Sequence, residues 1–271
     1  MKNTYDYHQT VNKLRTFFQK RNFIEVPTQS RLSILAACED PFTISTFNYD
    51  GIVWPLPQTG QMWLEYELLA NPTWDGVFCV STSYRNEPNP IEGRHEKIFP
   101  MFEFEAKGTI TQMRELEKDL LIDLGFKEPT CVIYDDMSER YNTPILESSH
   151  ETLMQKEISN VLSLEYFPER TSPFWNMKYN SQIDLFHKID VILYGQETIG
   201  SAERSTNPQE MKKFFENISG GKYAEKLFEL FGQERVMNEL DTFLSHNFFE
   251  RFGAGIGVTR MARALKLNGS I

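Results

Sequence analysis

With 271 residues, 40% of them apolar and 24% charged, the chain carries enough apolar material for a sizeable core, which excludes general disorder. Its 28 Lys and Arg face 38 Asp and Glu, so a net charge of -10 excludes a broad non-specific nucleic-acid surface, though not a local basic site. Three scattered cysteines, Cys38, Cys79 and Cys131, without C-x-x-C spacing exclude a zinc ribbon and fit a reducing compartment, and we read them as core thiols. The N-terminus "MKNTYDYHQTVNKL" is polar and nowhere do about 18 apolar residues run together, so we expect no signal peptide, no membrane span and a cytoplasmic location.

Val11, Leu14, Phe17 and Phe18 recur at helical spacing, and "RNFIEVPT" then switches to a β-rich run closed by proline. "FTISTFNYDGIVWPL" predicts a hairpin turned at Asp-Gly, and "GQMWLEYELLA" a helix. "GVFCVSTSYR" and "KIFPMFEFEAKG" predict two strands, the second half-buried because apolar and acidic residues alternate. "TQMRELEKDLLIDLGF" is an amphipathic helix ending at Gly125, and residues 129 to 180 show no clean period. "QIDLFHKIDVILYG" and "ETIGSAERS" predict strands, residues 208 to 244 are largely helical, and "GAGIGV" is a strand leading into a helix over "TRMARALKL". Strands and helices in separate runs predict an α+β fold with an antiparallel sheet flanked by helices, and without a linker or repeat we expect a single domain over residues 1–271.

Charge crowds into "YRNEPNPIEGRHEKIFPMFEFE", the loop between the first two long strands. Arg85 ends one strand, Glu87 points the same way two residues on, and Arg94 and His95 return with Phe99 four residues later. A guanidinium fork suits a phosphate, a carboxylate beside it can accept from an amino group such as that of adenine, and a ring can stack under a base. The alternative is a solvated hairpin tip with exposed ion pairs. "GAGIGVTR" places glycines at 253, 255 and 257 within a strand, with Arg260 opening the helix after it, which marks a close approach by backbone or ligand. It is not the dinucleotide fingerprint, because no acidic ribose reader follows, and alone it is explained more readily as a packing bulge.

Together, R-x-E, a loop, R/H-x-x-x-F and a distant G-x-G-x-G-x-x-R resemble motifs 2 and 3 of class II aminoacyl-tRNA synthetases, the aspartyl/asparaginyl subgroup above all. "FIEVPT", "GQMWLE", "FPERTSPFW" and "ETIGSAERS" resemble further stretches of that subgroup, in the right order. The resemblance implies that ATP lies bent over the sheet, with Arg85 on the α-phosphate, Glu87 on the adenine amino group, Arg94 or His95 near the γ-phosphate, and Phe99 under adenine. Arg260 would lie above the ring and reach the γ-phosphate, beside Gly257. Arg85 and Arg260 are then the catalytic cations, acting by positioning and charge stabilisation. Magnesium is implied, with Glu197 and either Glu103 or Glu105 as ligands, the alternative for those strand glutamates being a polar face.

For the amino acid, the resemblance implies that Glu39 of "ACEDP" holds the α-amino group beside Gln61, and that Arg204 grips the side-chain carboxylate of L-aspartate or the carbonyl of L-asparagine. Aspartyl enzymes carry a lysine where this chain has Leu64, followed by Glu65. That is similar to the asparaginyl pattern, with Glu65 accepting from a side-chain amide or ammonium, the alternative being a solvent-facing helix residue. The resemblance begins almost at Met1, without the OB-fold module of about a hundred residues that reads the anticodon. We therefore expect tRNA not to be the acceptor and a reaction resembling that of archaeal-type asparagine synthetases, in which ammonia attacks an aspartyl adenylate. Such synthesis must adenylate the β-carboxylate, whereas tRNA charging uses the α-carboxylate. Transfer to tRNA, transfer to a protein lysine, and an inactive regulatory paralogue are the alternatives. We expect a two-fold dimer through the motif 1 elements. Ile98 and Arg251 stand where the family commonly has a glutamate and a histidine or proline, and Gln29 follows Thr28 where motif 1 has proline.

Overall fold

Helix α1 (Thr4–Gln19) starts where Asn3 accepts a hydrogen bond from the Tyr5 amide at 3.0 Å, and its Val11, Leu14, Phe17 and Phe18 are buried. The structure is a computed structural model that describes residues 3–28, 31–37, 40–91, 93–94 and 96–271. After β1 (Ile24–Glu25), β2 (Thr46–Tyr49) and β3 (Ile52–Pro55) form the hairpin, with Asp50 and Gly51 both at positive φ, 52° and 75°, as the Asp-Gly turn requires. Then come α2 (Gln61–Ala70), β4 (Gly76–Tyr84), β5 (Ile98–Lys107) and α3 (Ile110–Asp123), the last opened by a Thr109–Gln112 capping box.

Residues 129–180 hold β6 (Thr130–Ile133), α4 (Tyr134–Arg140), α5 (Ser148–Glu157), β7 (Val161–Pro168) and β8 (Tyr179–Asn180). These are mostly elements of four to ten residues, too short to print a period on the sequence. β9 (Leu185–Leu193) and β10 (Gln196–Glu203) follow, then α6 (Pro208–Asn217), α7 (Lys222–Phe231) and α8 (Gln233–Leu244). β11 (Arg251–Gly257) runs directly into α9 (Val258–Asn268).

Nine strands form one sheet in the order β1-β4-β5-β11-β10-β9-β7-β6, with β8 beside β9. Pairing is antiparallel except at the two ends, β1 with β4 and β6 with β7. This is an α+β fold with a mostly antiparallel sheet flanked by helices. Strand alternation divides the functions of its two faces. One face carries Phe78, Phe102, Phe104, Ile189, Ile199, Phe252 and Ile256 into the main core under α1, α3 and α9, where Phe18 lies 4.7 to 6.0 Å from Phe78, Phe102 and Phe104 between ring centroids. The other carries Phe99, Met101, Glu103, Glu105, Gly253, Gly255 and Gly257, and α2 with the apolar cluster of α6, α7 and α8 walls it in.

Two expectations are corrected here. β5 is not half-buried, since Glu103 and Glu105 are both 0% exposed: its acidic face lies beneath α2 and takes hydrogen bonds there. Cys79 is a core thiol, but Cys131 is exposed, on the short strand at the sheet's edge; Cys38 lies outside the described residues. Among the described residues no helix is long and apolar enough to cross a membrane.

Candidate active site

On the second face of the sheet lies a cavity of about 1040 Å³. Arg85, Glu87, Arg94, Phe99, Glu197, Gly257 and Arg260 line one end, and Gln61 and Arg204 the other. Seven residues expected from the phosphate and adenine chemistry therefore do converge, from the loop after β4, β5, β10, β11 and α9. Glu39 and His95 lie outside the described residues.

At the first end, the Arg85 amide donates to the Lys97 carbonyl at 2.7 Å, which closes the base of the charged loop. The guanidinium carbon of Arg85 lies 5.7 Å from the Phe99 ring centroid. Burial lowers the pKa of that guanidinium, with Glu197 opposing and Arg260 adding to the fall. Arg260, in the first turn of α9, donates to the Glu197 carbonyl at 2.8 Å and stands 3.9 Å from its carboxylate. Arg94 reaches across the mouth to donate to Glu151 at 2.5 Å and to the Gly195 carbonyl at 3.2 Å, so the charged loop is docked on α5 and on the β9–β10 turn. Glu151 also accepts from the Glu197 amide at 2.6 Å.

The second end is built of buried, paired charge. Arg204 donates to Gln61 at 2.6 Å and to both oxygens of Glu105 at 3.2 Å, while Gln61 donates to the Ala254 carbonyl at 2.7 Å. Burial pushes the Glu105 carboxyl up to about 7, with Arg204 pulling it down and Glu65 adding to the rise. Gly253 is required here by contact: a Cβ would sit 1.7 Å from Glu105 Oε2 and 2.5 Å from Gln61 Oε1. The glycine-rich strand thus makes room for the arginine clamp.

Glu65 does not face the cavity, which corrects its reading as the receptor of an amide or ammonium. It is 0% exposed; Oε2 accepts from Arg251 at 2.6 and 3.1 Å and Oε1 from Asn176 at 2.6 Å. Arg251, a departure from the family pattern, therefore neutralises it. A partner 186 residues away gives no local signal.

The magnesium ligands expected on β5 are corrected as well. Glu103 Oε1 accepts from Thr59 at 2.5 Å, and Oε2 accepts from the Gly60 amide at 2.7 Å and from Ser81. Glu105 is held by Arg204, and neither acid lines the cavity. Sequence reasoning missed Asp190, directly opposite Gly200 in the β9–β10 register. A Cβ on Gly200 would lie 3.1 Å from Glu197 Oε1 and 3.6 Å from Asp190 Oδ1, so the two acids share one spot. Asp190 Oδ1 is buried and makes no hydrogen bond among the described residues. An acid inside the apolar run "IDVIL" was the available signal. No group of three or more His, Cys, Asp or Glu among the described residues could hold a metal ion. Asp190 and Glu197 therefore suit magnesium only when phosphate oxygens complete its shell.

A family model described as tRNA synthetases class II (D, K and N) matches residues 2–271. The chain is similar in fold to a crystal structure of asparaginyl-tRNA synthetase from Pyrococcus horikoshii complexed with asparaginyl-adenylate, at a TM-score of 0.78 and 16% identity over 97% of this chain and 65% of that one. Asparaginyl-tRNA synthetase of Entamoeba histolytica in complex with asparaginyl-adenylate gives 0.74 and 18%, covering 96% of this chain and 63% of that one. A putative aspartyl-tRNA synthetase from Leishmania major Friedlin gives 0.74 and 14%, with 97% and 62% covered. The chain thus spans less than two thirds of the length of these structures. No curated protein matches it.

Proposed function

This chain belongs to the class II tRNA synthetases of the D, K and N group, and we propose that it activates aspartate with ATP as an aspartyl adenylate, which ammonia then converts to asparagine. A substrate carboxylate oxygen attacks the α-phosphorus in line, and the bond to the pyrophosphate oxygen breaks. Ammonia next attacks the acyl carbon, AMP leaves with the acyl oxygen bond electrons, and the ammonium proton passes to solvent. Arg85 and Arg260 present guanidinium forks to the phosphates and stabilise the charge that develops on the phosphorus oxygens. Phe99 lies under the adenine and Glu87 accepts from its amino group. Magnesium, held by Glu197 and Asp190 together with phosphate oxygens, would supply charge neutralisation of the pyrophosphate.

The observation that carries the reading is the single cavity with the Arg85, Phe99, Glu197 and Arg260 cluster at one end and the Arg204 clamp at the other. Aspartate fits it in a specific way: with the β-carboxylate at the phosphorus, the unreacting carboxylate is the one that Arg204 attracts. Sequestration of Glu65 removes the acceptor that would select an amide, and so favours aspartate over asparagine. A net charge of -10 favours a small acceptor over a polyanion. We take residues 1–271 as one catalytic domain.

Incubation with ATP, magnesium and L-aspartate, with and without ammonium, tests this by mass spectrometry. AMP and asparagine should appear together and only with ammonium in full yield. AMP formed from asparagine alone, with charging of tRNA, would sink the synthetase reading in favour of the tRNA ligase.

A further inference from the structure

Arg204 is bracketed by a second buried arginine. Its amide donates to the Arg251 carbonyl at 2.8 Å, and the Arg251 guanidinium donates to the carbonyl of the next residue, Ser205, at 3.2 Å. That guanidinium lies 4.8 Å from the Phe248 ring centroid and brings both Nε and Nη2 to Glu65 Oε2. Glu65 Oε1 in turn stands 3.8 Å from Arg204 Nε, beyond hydrogen-bond distance but close enough for charge to act. Arg204 therefore has two carboxyl groups at its Nε edge, Glu105 at 3.2 Å and Glu65 at 3.8 Å, and Arg251 claims the second. Arg204 lines the cavity, and its Nη1 makes no hydrogen bond among the described residues.

We propose that Arg251 is a positioning residue that sets the choice between carboxylate and amide: by neutralising Glu65 behind the pocket, it leaves the charge of Arg204 to a substrate carboxylate. This rests on the aspartate reading given above and carries it to a residue that does not line the cavity. All four side chains, Glu65, Glu105, Arg204 and Arg251, are buried, so their charges act on one another with little screening. Removing Arg251 takes one positive charge from this group, and Glu65 then competes with the substrate carboxylate for Arg204. An uncharged amide feels that loss little, and its N–H gains a freed acceptor in Glu65. Specificity here is a difference between two ligands, and a charge behind the contact changes one of them far more than the other.

The test is calorimetry of the full chain with a non-hydrolysable ATP analogue present, which gives Kd for L-aspartate and for L-asparagine in each variant. The parent chain should prefer aspartate. Arg251→Met should weaken aspartate about tenfold or more and change asparagine less than about threefold, because the change sets like charge against like. Arg251→Lys, which keeps the charge without the fork, should keep the preference. Glu65→Gln removes the opposing carboxylate without stranding one, and should raise the preference for aspartate about threefold or more. An equal loss of both amino acids in Arg251→Met would make Arg251 merely structural and overturn the proposal. So would an unchanged preference in Glu65→Gln, a comparison that does not depend on the Arg251→Met variant folding. A parent chain that binds the nucleotide analogue but prefers asparagine sinks the aspartate reading and this one with it, while a parent that prefers aspartate with the wrong pattern among the variants sinks this one alone.

Discussion

The two ends of the cavity hold their charges in different ways. At the Arg204 end Arg204 and Glu105 are 6% and 0% exposed at 3.2 Å, and behind it, away from the cavity, Arg251 and Glu65 are both 0% exposed at 2.6 Å. At the Arg85 end Arg260 and Glu197 are 31% and 41% exposed and stand 3.9 Å apart. A buried ion pair is costly to break, because removing one partner strands a charge without water. A loose, half-exposed pair can exchange its partner for a phosphate at small cost. The Arg204 end is thus a fixed template, and the Arg260–Glu197 pair at the other end is loose.

The largest effect expected from this contrast is on stability at the template. Arg251→Met should cost about 3–5 kcal/mol by leaving Glu65 buried without its two-armed partner, with only Asn176 at 2.6 Å and Arg204 at 3.8 Å beside it, read as a lowered denaturation midpoint. The double change with Glu65→Leu should recover much of that loss, because it removes both charges together. A folded, fully stable Arg251→Met protein would break the contrast. At the other end Arg85→Ala should lower the rate of AMP formation about 10²–10³-fold, as loss of one preorganised donor does, with a midpoint near that of the parent chain. Unchanged turnover would remove Arg85 from the phosphate site.

Glu117 sharpens the comparison from the opposite face of the sheet. It is 3% exposed, like Glu65, but no arginine pairs with it at close range, and Oε1 lacks a hydrogen-bond partner among the described residues. Burial raises its carboxyl to about 8, with a hydrogen bond from Ser201 opposing the rise. In the fold the group keeps a proton that the unfolded chain gives up near its ordinary pKa. The stability contributed by that proton is therefore full below the unfolded value and is lost as pH rises through about 8. The unfolding free energy should fall between pH 5 and pH 9, by on the order of 4 kcal/mol, and Glu117→Gln should flatten that slope. A slope of the same size in the Gln variant would assign it to another group.

The same division explains what was legible in the sequence. The sheet face that forms the core was readable, because Phe102 and Phe104 alternate with polar residues and the Asp50–Gly51 turn has its own chemistry. Arg85, Glu87, Phe99 and Arg260 were readable because each lies within a few residues of a strand end or a glycine strand that marks it. Glu65 and Glu103 were misplaced, since a carboxylate on a helix or an alternating strand looks alike whether it meets water or a buried donor. The partners that decide, Arg251 for one and Thr59 with Ser81 for the other, arrive through the fold. Asp190 was missed although an acid inside the apolar run "IDVIL" marks it locally.

Arg94 gives the smallest expected effect, and it separates the two kinds of charge most finely. It belongs to the loop at the Arg85 end, yet its side chain is 12% exposed and donates to Glu151 at 2.5 Å, more like the buried pairs of the Arg204 end than like Arg260. Burial raises the Glu151 carboxyl, with Glu197 adding to the rise and Arg94 opposing it. To reach a γ-phosphate Arg94 must first leave Glu151, so the phosphate gains only the difference between two charge-assisted hydrogen bonds. Arg94→Ala should therefore raise the KM for ATP about three- to tenfold, about 0.7–1.4 kcal/mol at 25 °C, with kcat little changed. A loss of kcat as large as that of Arg85→Ala would place Arg94 on the transferring phosphate instead. An unchanged KM would make its contact with Glu151 purely the latch that holds the loop.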